Sequence, residues 1–352
     1  MSSKQSIEKV KETIREDIRS KESQLLKKKA DQNCLIVKPV NTWIDEAKRR
    51  PIPNMLFSEF WYEYELAILY ADTNVGKSIL AVQIAESISS GIPIDNFKLE
   101  AEAQVVVYTD FELSDKQFEN RYSKDYKNHY RFSQNFLRAE INPLTDIPKE
   151  YKGIEDYLCD QLKSIINKSG AKVVIIDNLT FLGNDNEKSK HALELMKKLK
   201  KITKESSVSI LVLAHTPKRD DSKPISKNDL AGSKMLINFC DSAFAIGFSQ
   251  NDPKHRYLKQ IKQRNTEQVY HTENVITCSL EKDVNFLEFR FLHYNSEYDH
   301  LRCNTSNGNG LDERDEAMKS LISQGLSNVE IGRQLGINEA TVRKRKKTLG
   351  ID

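Results

Sequence analysis

The sequence predicts an α/β fold with a mainly parallel sheet, followed by a small all-helical module. Three observations carry this expectation. Between residues 66 and 216, short apolar runs alternate with segments of helical periodicity. The runs LAILYA, QVVVY, KVVII and SILVL are continuous in Val, Ile and Leu, as expected of strands covered on both faces. Residues 312–352 then have the rhythm of short helices joined by a sharp turn.

The chain has 352 residues, room for two domains or one domain with an appendage. Hydrophobic residues make up 38% and charged residues 30%, which fits a packed core under a heavily solvated surface. A net charge of +3 does not by itself announce a nucleic-acid partner, so local clusters must decide. Cys34, Cys159, Cys240, Cys278 and Cys303 form no C-x-x-C pair and read as reduced thiols. No apolar run approaches membrane-spanning length, and no apolar segment follows Met1. A cytoplasmic protein with no membrane partner is expected.

The elements follow in order. Residues 4–30 place Ile7, Val10, Ile14, Ile18 and Leu25 at helical spacing, which predicts an amphipathic helix. It either packs on its own domain or docks on a neighbouring subunit, and the residues do not choose. Arg49, Arg50, Pro51 and Pro53 mark an extended connector. Strands are expected at 66–71, 103–112, 171–178 and 207–216, with helices at 78–91, near 114–124, at 153–170 and at 188–206. After Asp229 come a helix, strands at 242–248 and 256–265, and two late antiparallel strands. CNTSNGNG at 303–310 reads as a linker. The expected domains are an N-terminal helix and connector (1–50), an α/β domain (51–300), a linker (301–311) and a helix-turn-helix (312–352).

Between the first strand and its helix lies ADTNVGKS, residues 71–78. It matches G-x-x-x-x-G-K-[ST] except that Ala71 replaces the first glycine. Such a loop turns backbone N–H groups inward around phosphate oxygens. Gly76 permits close approach, Lys77 brings positive charge to the β/γ-phosphates, and the Ser78 hydroxyl can bind Mg²⁺. The helix beginning near Lys77 points its positive end at the anion. Ala71 costs little if its φ stays negative. Thr73, Asn74, Val75, Gly76, Lys77, Ser78 and Ile79 are therefore the nucleotide-binding residues, with ATP and Mg²⁺ as the expected ligands.

KVVIIDN places Asp177 at the carboxyl end of a strand, where it can hold the metal shell. VVVYTDFELS offers two carboxylates, Asp110 and Glu112 at the strand's tip, which lie on the same strand face because side chains alternate. Either could serve the chemistry: one to activate water, the other to support it or join the metal shell. The seven histidines show no H-E-x-x-H or Cys/His spacing.

Taken together, ADTNVGKS, VVVYTDFELS, KVVIIDN, ILVLAHT and LKQIKQRN resemble the RecA-type P-loop ATPases. The order is that of the hexameric helicase and plasmid RepA-like branch, over residues 50–295. The resemblance implies a RecA-like fold, ATP hydrolysis and a ring-shaped homo-oligomer, hexameric in that branch. It implies that Glu112 is the catalytic glutamate and that His215 senses the γ-phosphate. It implies that Lys262 and Arg264 of KQRN reach the ATP site of the next subunit. It also implies DNA handling on a plasmid, phage or mobile element, as a helicase-like, replication or mobilisation protein.

Three regions are candidates for DNA contact, the first being the loop GNDNEKSK at 183–190, after the metal-binding strand. In the loop after ILVLAHT, Lys218, Arg219, Lys223 and Lys227 could meet single-stranded phosphates, although aspartates interleave them. The tail resembles bacterial helix-turn-helix segments. Ile331, Leu335, Ile337 and Val342 would pack the helices, with Gly336 at the turn and Asn338 as cap. The second helix would expose Glu339, Thr341, Arg343, Lys344, Arg345, Lys346 and Lys347 to duplex DNA. A nucleotide-switched regulator with little or no hydrolysis is the rival to a motor.

Overall fold

The computed structural model describes residues 35–142, 146–178, 188–217, 219–230, 234–302, 309–335 and 339–349. For 188–192, 234–235, 309–314, 340, 341, 344, 347 and 348 it describes the backbone alone. The helix expected over 4–30 lies outside the described residues. The chain divides into two units, Met1–Ile52 and Pro53–Asp352.

In the first unit, helix α1 (Val40–Ala47) follows an extended stretch, and the Lys38 ammonium reaches Glu46 at 2.6 Å. The sequence reading had no helix here.

The second unit opens with two short strands, β1 (Met55–Phe57) and β2 (Trp61–Tyr62). Strand β3 (Leu66–Ala71) leads through the phosphate loop into α2 (Lys77–Ser90). Then come β4 (Val106–Asp110), α3 (Asp115–Arg121), a small hairpin of β5 (Ser123–Lys124) and β6 (Asn128–His129), and β7 (Phe136–Glu140). Helix α4 (Ile154–Ser169), β8 (Val173–Asp177), α5 (Lys188–Ser206) and β9 (Ser209–His215) continue the alternation. After α6 (Lys234–Phe239), four strands run in succession: β10 (Ser242–Phe248), β11 (His255–Lys262), β12 (Val275–Asp283) and β13 (Phe286–Asn295).

Nine strands form one sheet in the order β13-β12-β11-β10-β3-β9-β8-β4-β7. From β10 to β7 all pairs are parallel, and β10 to β13 are antiparallel. This is the expected α/β class with a mainly parallel sheet. Burial on both faces explains the continuous apolar runs. Leu69, Tyr108, Ile175 and Leu213 pack with α2 on one face. Ile68, Ile176 and Val212 pack with Leu162 of α4 and Leu199 of α5 on the other. Strand β7, at the sheet edge, escaped the sequence reading because FLRAE interrupts its apolar positions with charges.

Parallel strands bring their carboxyl ends to one edge. The register sets Ala71 beside His215 and Asp110 beside Asp177. Strand β9 separates the phosphate-loop strand from β8. Loop residues that are distant in sequence therefore converge there.

The C-terminal end forms three helices, α7 (Asn309–Ser323), α8 (Asn328–Leu335) and α9 (Glu339–Thr348). Helix α7 begins inside the stretch expected to be linker. Met318, Ile331 and Val342 are the buried centre, with Leu321, Leu326 and Leu335 packed on them. Ser327 and Glu330 cap α8 reciprocally: Glu330 accepts from Ser327 N at 3.0 Å, and Ser327 Oγ accepts from Glu330 N at 3.4 Å. Gly336, Ile337 and Asn338 lie outside the described residues.

Candidate active site

The phosphate loop starts where β3 stops. Ala71 is still strand, and its carbonyl accepts from Thr216 N at 3.0 Å, so this position has no need of glycine. Gly76 does need to be glycine. Its φ is +110°, and a Cβ there would lie 2.8 Å from the Phe289 ring. Asn74, at φ +60°, supplies the other left-handed turn. Helix α2 then begins at Lys77 with Gly76 at its cap, so its free N–H groups face the loop.

Lys77 is buried, and its ammonium donates to the Ala71 and Asp72 carbonyls, each at 2.9 Å. It also lies 3.0 Å from Nδ1 of His215. Burial lowers its pKa to about 8, against the opposing pull of Asp177, Glu112 and Asp72. His215 is pushed down as well, by burial first and then by the Lys77 charge.

Asp177 ends β8 and is 1% exposed. The Tyr108 hydroxyl donates to its Oδ2 at 2.5 Å. Burial raises its pKa to about 6, while hydrogen bonding from Ser78 and Tyr108 holds it down. Its Oδ1 is buried with no partner of normal hydrogen-bond geometry. An orphaned oxygen on a buried carboxyl that also lies within reach of the Ser78 hydroxyl suits a hard, oxygen-seeking cation, so these two residues fit Mg²⁺.

Glu112 lies two residues beyond the end of β4. Its Oε1 accepts from Asn178 Nδ2 and lies 3.6 Å from His215 Nε2. Asp110 differs from the expectation. Strand β4 stops at Asp110, so the two acids do not share a strand face. Asp110 Oδ1 accepts from the backbone N–H groups of Glu112 and Leu113, at 3.1 and 2.9 Å. Its Oδ2 accepts from Arg138 Nε at 3.1 Å. Asp110 therefore builds the turn that presents Glu112, and both its oxygens are occupied. Of the two carboxylates, only Glu112 faces His215 and Lys77.

Three supports were invisible in the sequence. Gln83 of α2 clamps the backbone of Phe289 on β13 through two bonds of 2.9 Å, seating that ring on Gly76. Arg256 donates to the Val75 carbonyl at 3.1 Å while stacking on Phe248. Asn178 follows Asp177 and touches both Glu112 and His215.

The sequence profile of the AAA domain family matches residues 36–221, more than half of the chain and every residue of this site from the phosphate loop to His215. The chain belongs to the AAA domain family. Two solved structures resemble this AAA domain. A KaiC-like protein of Pyrococcus horikoshii shares 13% identity at a TM-score of 0.44, covering 65% of this chain and 90% of its own. A second solved structure, itself an ATPase domain, shares 16% identity at a TM-score of 0.47, covering 64% of this chain and 85% of its own. No curated protein matches.

Lys262 and Arg264 lie away from this cluster. Lys262 donates to the Ile237 and Cys240 carbonyls at 2.6 and 2.8 Å, closing the end of α6. Arg264 lies 3.3 Å from Asp241 and is half exposed. Asp241 also accepts from Leu66 N, at the start of β3. Both cations thus sit at the opposite end of the sheet from the phosphate loop of their own chain, a strand length of about 20 Å away.

The loop after β9 is fastened rather than free around residue 225. Buried Glu297 accepts from Ile225 N at 2.6 Å and from Lys259. Lys259 donates to the Ile225 carbonyl at 2.8 Å, and Tyr70 donates to the Ser226 carbonyl at 2.8 Å. Arg219, expected to face DNA, instead borders a cleft of about 240 Å³ beside Asp72 and Thr73, and it bonds to the Lys223 carbonyl. Lys223 is exposed and pairs with Asp220 at 3.1 Å, and Lys227 is exposed in a short turn. Lys218 and positions 183–187 of the other candidate loop lie outside the described residues.

In the C-terminal helices, Arg345 departs from the expectation of a solvent-facing cation. Its guanidinium forks onto Asp315 of α7 at 2.8 and 2.5 Å and ties α9 down. Arg343 is exposed and pairs with Glu339 one turn away. Lys346 donates to Asn328 at 3.2 Å. The side chains of Thr341, Lys344 and Lys347 lie outside the described residues. Among the described residues, no helix is long and apolar enough to cross a membrane.

Proposed function

We propose that this chain is an ATPase that hydrolyses Mg²⁺-bound ATP as an oligomer and couples turnover to DNA, in the manner of a helicase-like or replication protein of a mobile element. The supporting observation is the meeting of Lys77, Asp177, Glu112 and His215 at one sheet edge, although they come from four separate stretches of sequence.

The chain's own groups divide the work. The amides from Thr73 to Ile79 and the Lys77 ammonium bind the phosphates. Ser78 and Asp177 would hold Mg²⁺, which when bound neutralises charge on the phosphate oxygens. The Glu112 carboxylate orients water and takes its proton. His215 reports the γ-phosphate. Arg264 is the better of the two trans candidates: it is half exposed, whereas Lys262 already closes α6. Its place at the far end of the sheet means it could reach only another subunit's phosphates.

The exposed Arg343 on a packed three-helix module favours a second role in duplex binding. ATP turnover without DNA, with single strands and with duplex, alongside the mass of the assembly with and without ATP, tests the proposal. Stimulation by single strands in a ring supports the motor. Duplex binding with no stimulation supports a nucleotide-switched regulator.

A further inference from the structure

Asn178 has no part in the chemistry above, yet its amide stands at the centre of the site. It is 1% exposed and follows Asp177 directly. Its Nδ2 contacts Glu112 Oε1 and lies 2.9 Å from His215 Nε2. On its other edge the imidazole presents Nδ1 to the Lys77 ammonium at 3.0 Å. The four side chains form a single series: Lys77, His215, Asn178, Glu112.

Donors and acceptors in this series cannot all match while Lys77 stays in place. An ammonium only donates, so Nδ1 must accept, and the neutral ring carries its proton on Nε2. Nε2–H then meets the NH₂ group of Asn178, donor against donor. Turning the amide puts its oxygen there, but that oxygen then faces the Glu112 carboxylate, acceptor against acceptor. Withdrawing Lys77 removes the conflict. The ring proton can then sit on Nδ1, Nε2 accepts one amide hydrogen, and the other amide hydrogen holds Glu112.

We infer that Asn178 is a positioning residue that couples occupancy of the phosphate site to the placement of Glu112, through His215. The inference rests on the ATPase reading above. A triphosphate attracts Lys77 away from Nδ1, and Nδ1–H is then able to donate to a phosphate oxygen. The series becomes fully matched only in that state, so Glu112 is held firmly when there is something to hydrolyse. The role requires two donors from one side chain, which explains an amide where a carboxylate of the same shape would also fit.

The test uses the full-length chain and two substitutions, with ATP turnover and calorimetric affinity for Mg²⁺-bound ATP measured on each. Asn178→Asp keeps the shape but cannot donate, and it places a negative charge against Glu112. It is expected to lower turnover at least about tenfold, and further than Asn178→Ala does, with affinity within about twofold of wild type. Asn178→Ala introduces no charge and enters a double-mutant cycle with His215→Ala. The double variant is expected to be no slower than the slower single variant, because both break one series. Turnover of Asn178→Asp equal to wild type, or losses in the cycle that simply multiply, would overturn the inference while leaving the ATPase reading intact. A wild-type chain that binds Mg²⁺-bound ATP without hydrolysing it, or does not bind it, would overturn both.

Discussion

The Lys77 ammonium lies 3.0 Å from Nδ1 of His215, so in this state the phosphate-loop lysine leans on a side chain from the neighbouring strand. Burial brings its pKa to about 8. A bound triphosphate favours the charged lysine and raises that pKa. Affinity for ATP is therefore fully developed below about pH 8 and falls as pH rises through it, by up to about tenfold per unit. Calorimetric titrations across about pH 7 to 10 check this, and a flat profile would count against a charged Lys77 in the complex.

Glu112→Gln keeps the side chain's size and removes its basicity. Turnover is expected to fall by about 10² to 10⁴, with ATP affinity retained. Asp110→Asn should behave differently, because Asp110 anchors the turn and pairs with Arg138. Its expected effect is a loss of stability on the order of 2 kcal/mol, read by chemical denaturation.

Gly76→Ala combines a strained backbone with a Cβ 2.8 Å from Phe289. The strain alone is worth roughly 1–3 kcal/mol. Lowered thermal stability and at least about tenfold weaker ATP binding are expected, the latter because the loop must deform to relieve the clash. Unchanged binding would mean that the ring of Phe289 gives way freely.

Arg264→Ala should abolish turnover in an assembly while leaving ATP binding by single chains intact. Mixing it with Lys77→Ala chains is the sharper measurement. Each variant supplies what the other lacks, so activity should partly return in the mixture and in neither variant alone. No recovery despite mixed assembly would remove the trans role.

In the C-terminal module, two arginines on one helix should part company. Arg345→Ala removes the tie to Asp315 and should loosen the three helices, seen as earlier thermal melting. Arg343→Ala should leave melting unchanged, weaken duplex binding, and lower the salt slope of that binding by about one.

Much of this architecture was legible in the sequence. Continuous apolar runs such as KVVIID marked the buried parallel strands, because two covered faces leave no room for alternation. Lys77, Ser78 and Asp177 stood out from local motifs, Glu112 and His215 from the family resemblance, and the fold brings all five to one edge. The misses have physical causes. Asp110 and Glu112 were placed on one strand face because the strand was expected to run to Glu112; it stops two residues earlier, and Asp110 folds back on the turn. Arg345 and Lys262 read as free cations because their partners, Asp315 and the carbonyls closing α6, are distant in sequence. Phe289 on Gly76 is a contact across more than two hundred residues, which no local pattern records.

The central claim is that the loop from Thr73 to Ile79, with Lys77 at its centre, grips a triphosphate. Titrating Mg²⁺-bound ATP into the wild-type chain and into Lys77→Ala, side by side in a calorimeter, tests it most directly. Saturable heat from the wild type that is lost in the variant is the predicted result. No heat from the wild type, or equal affinity in both, would contradict the account.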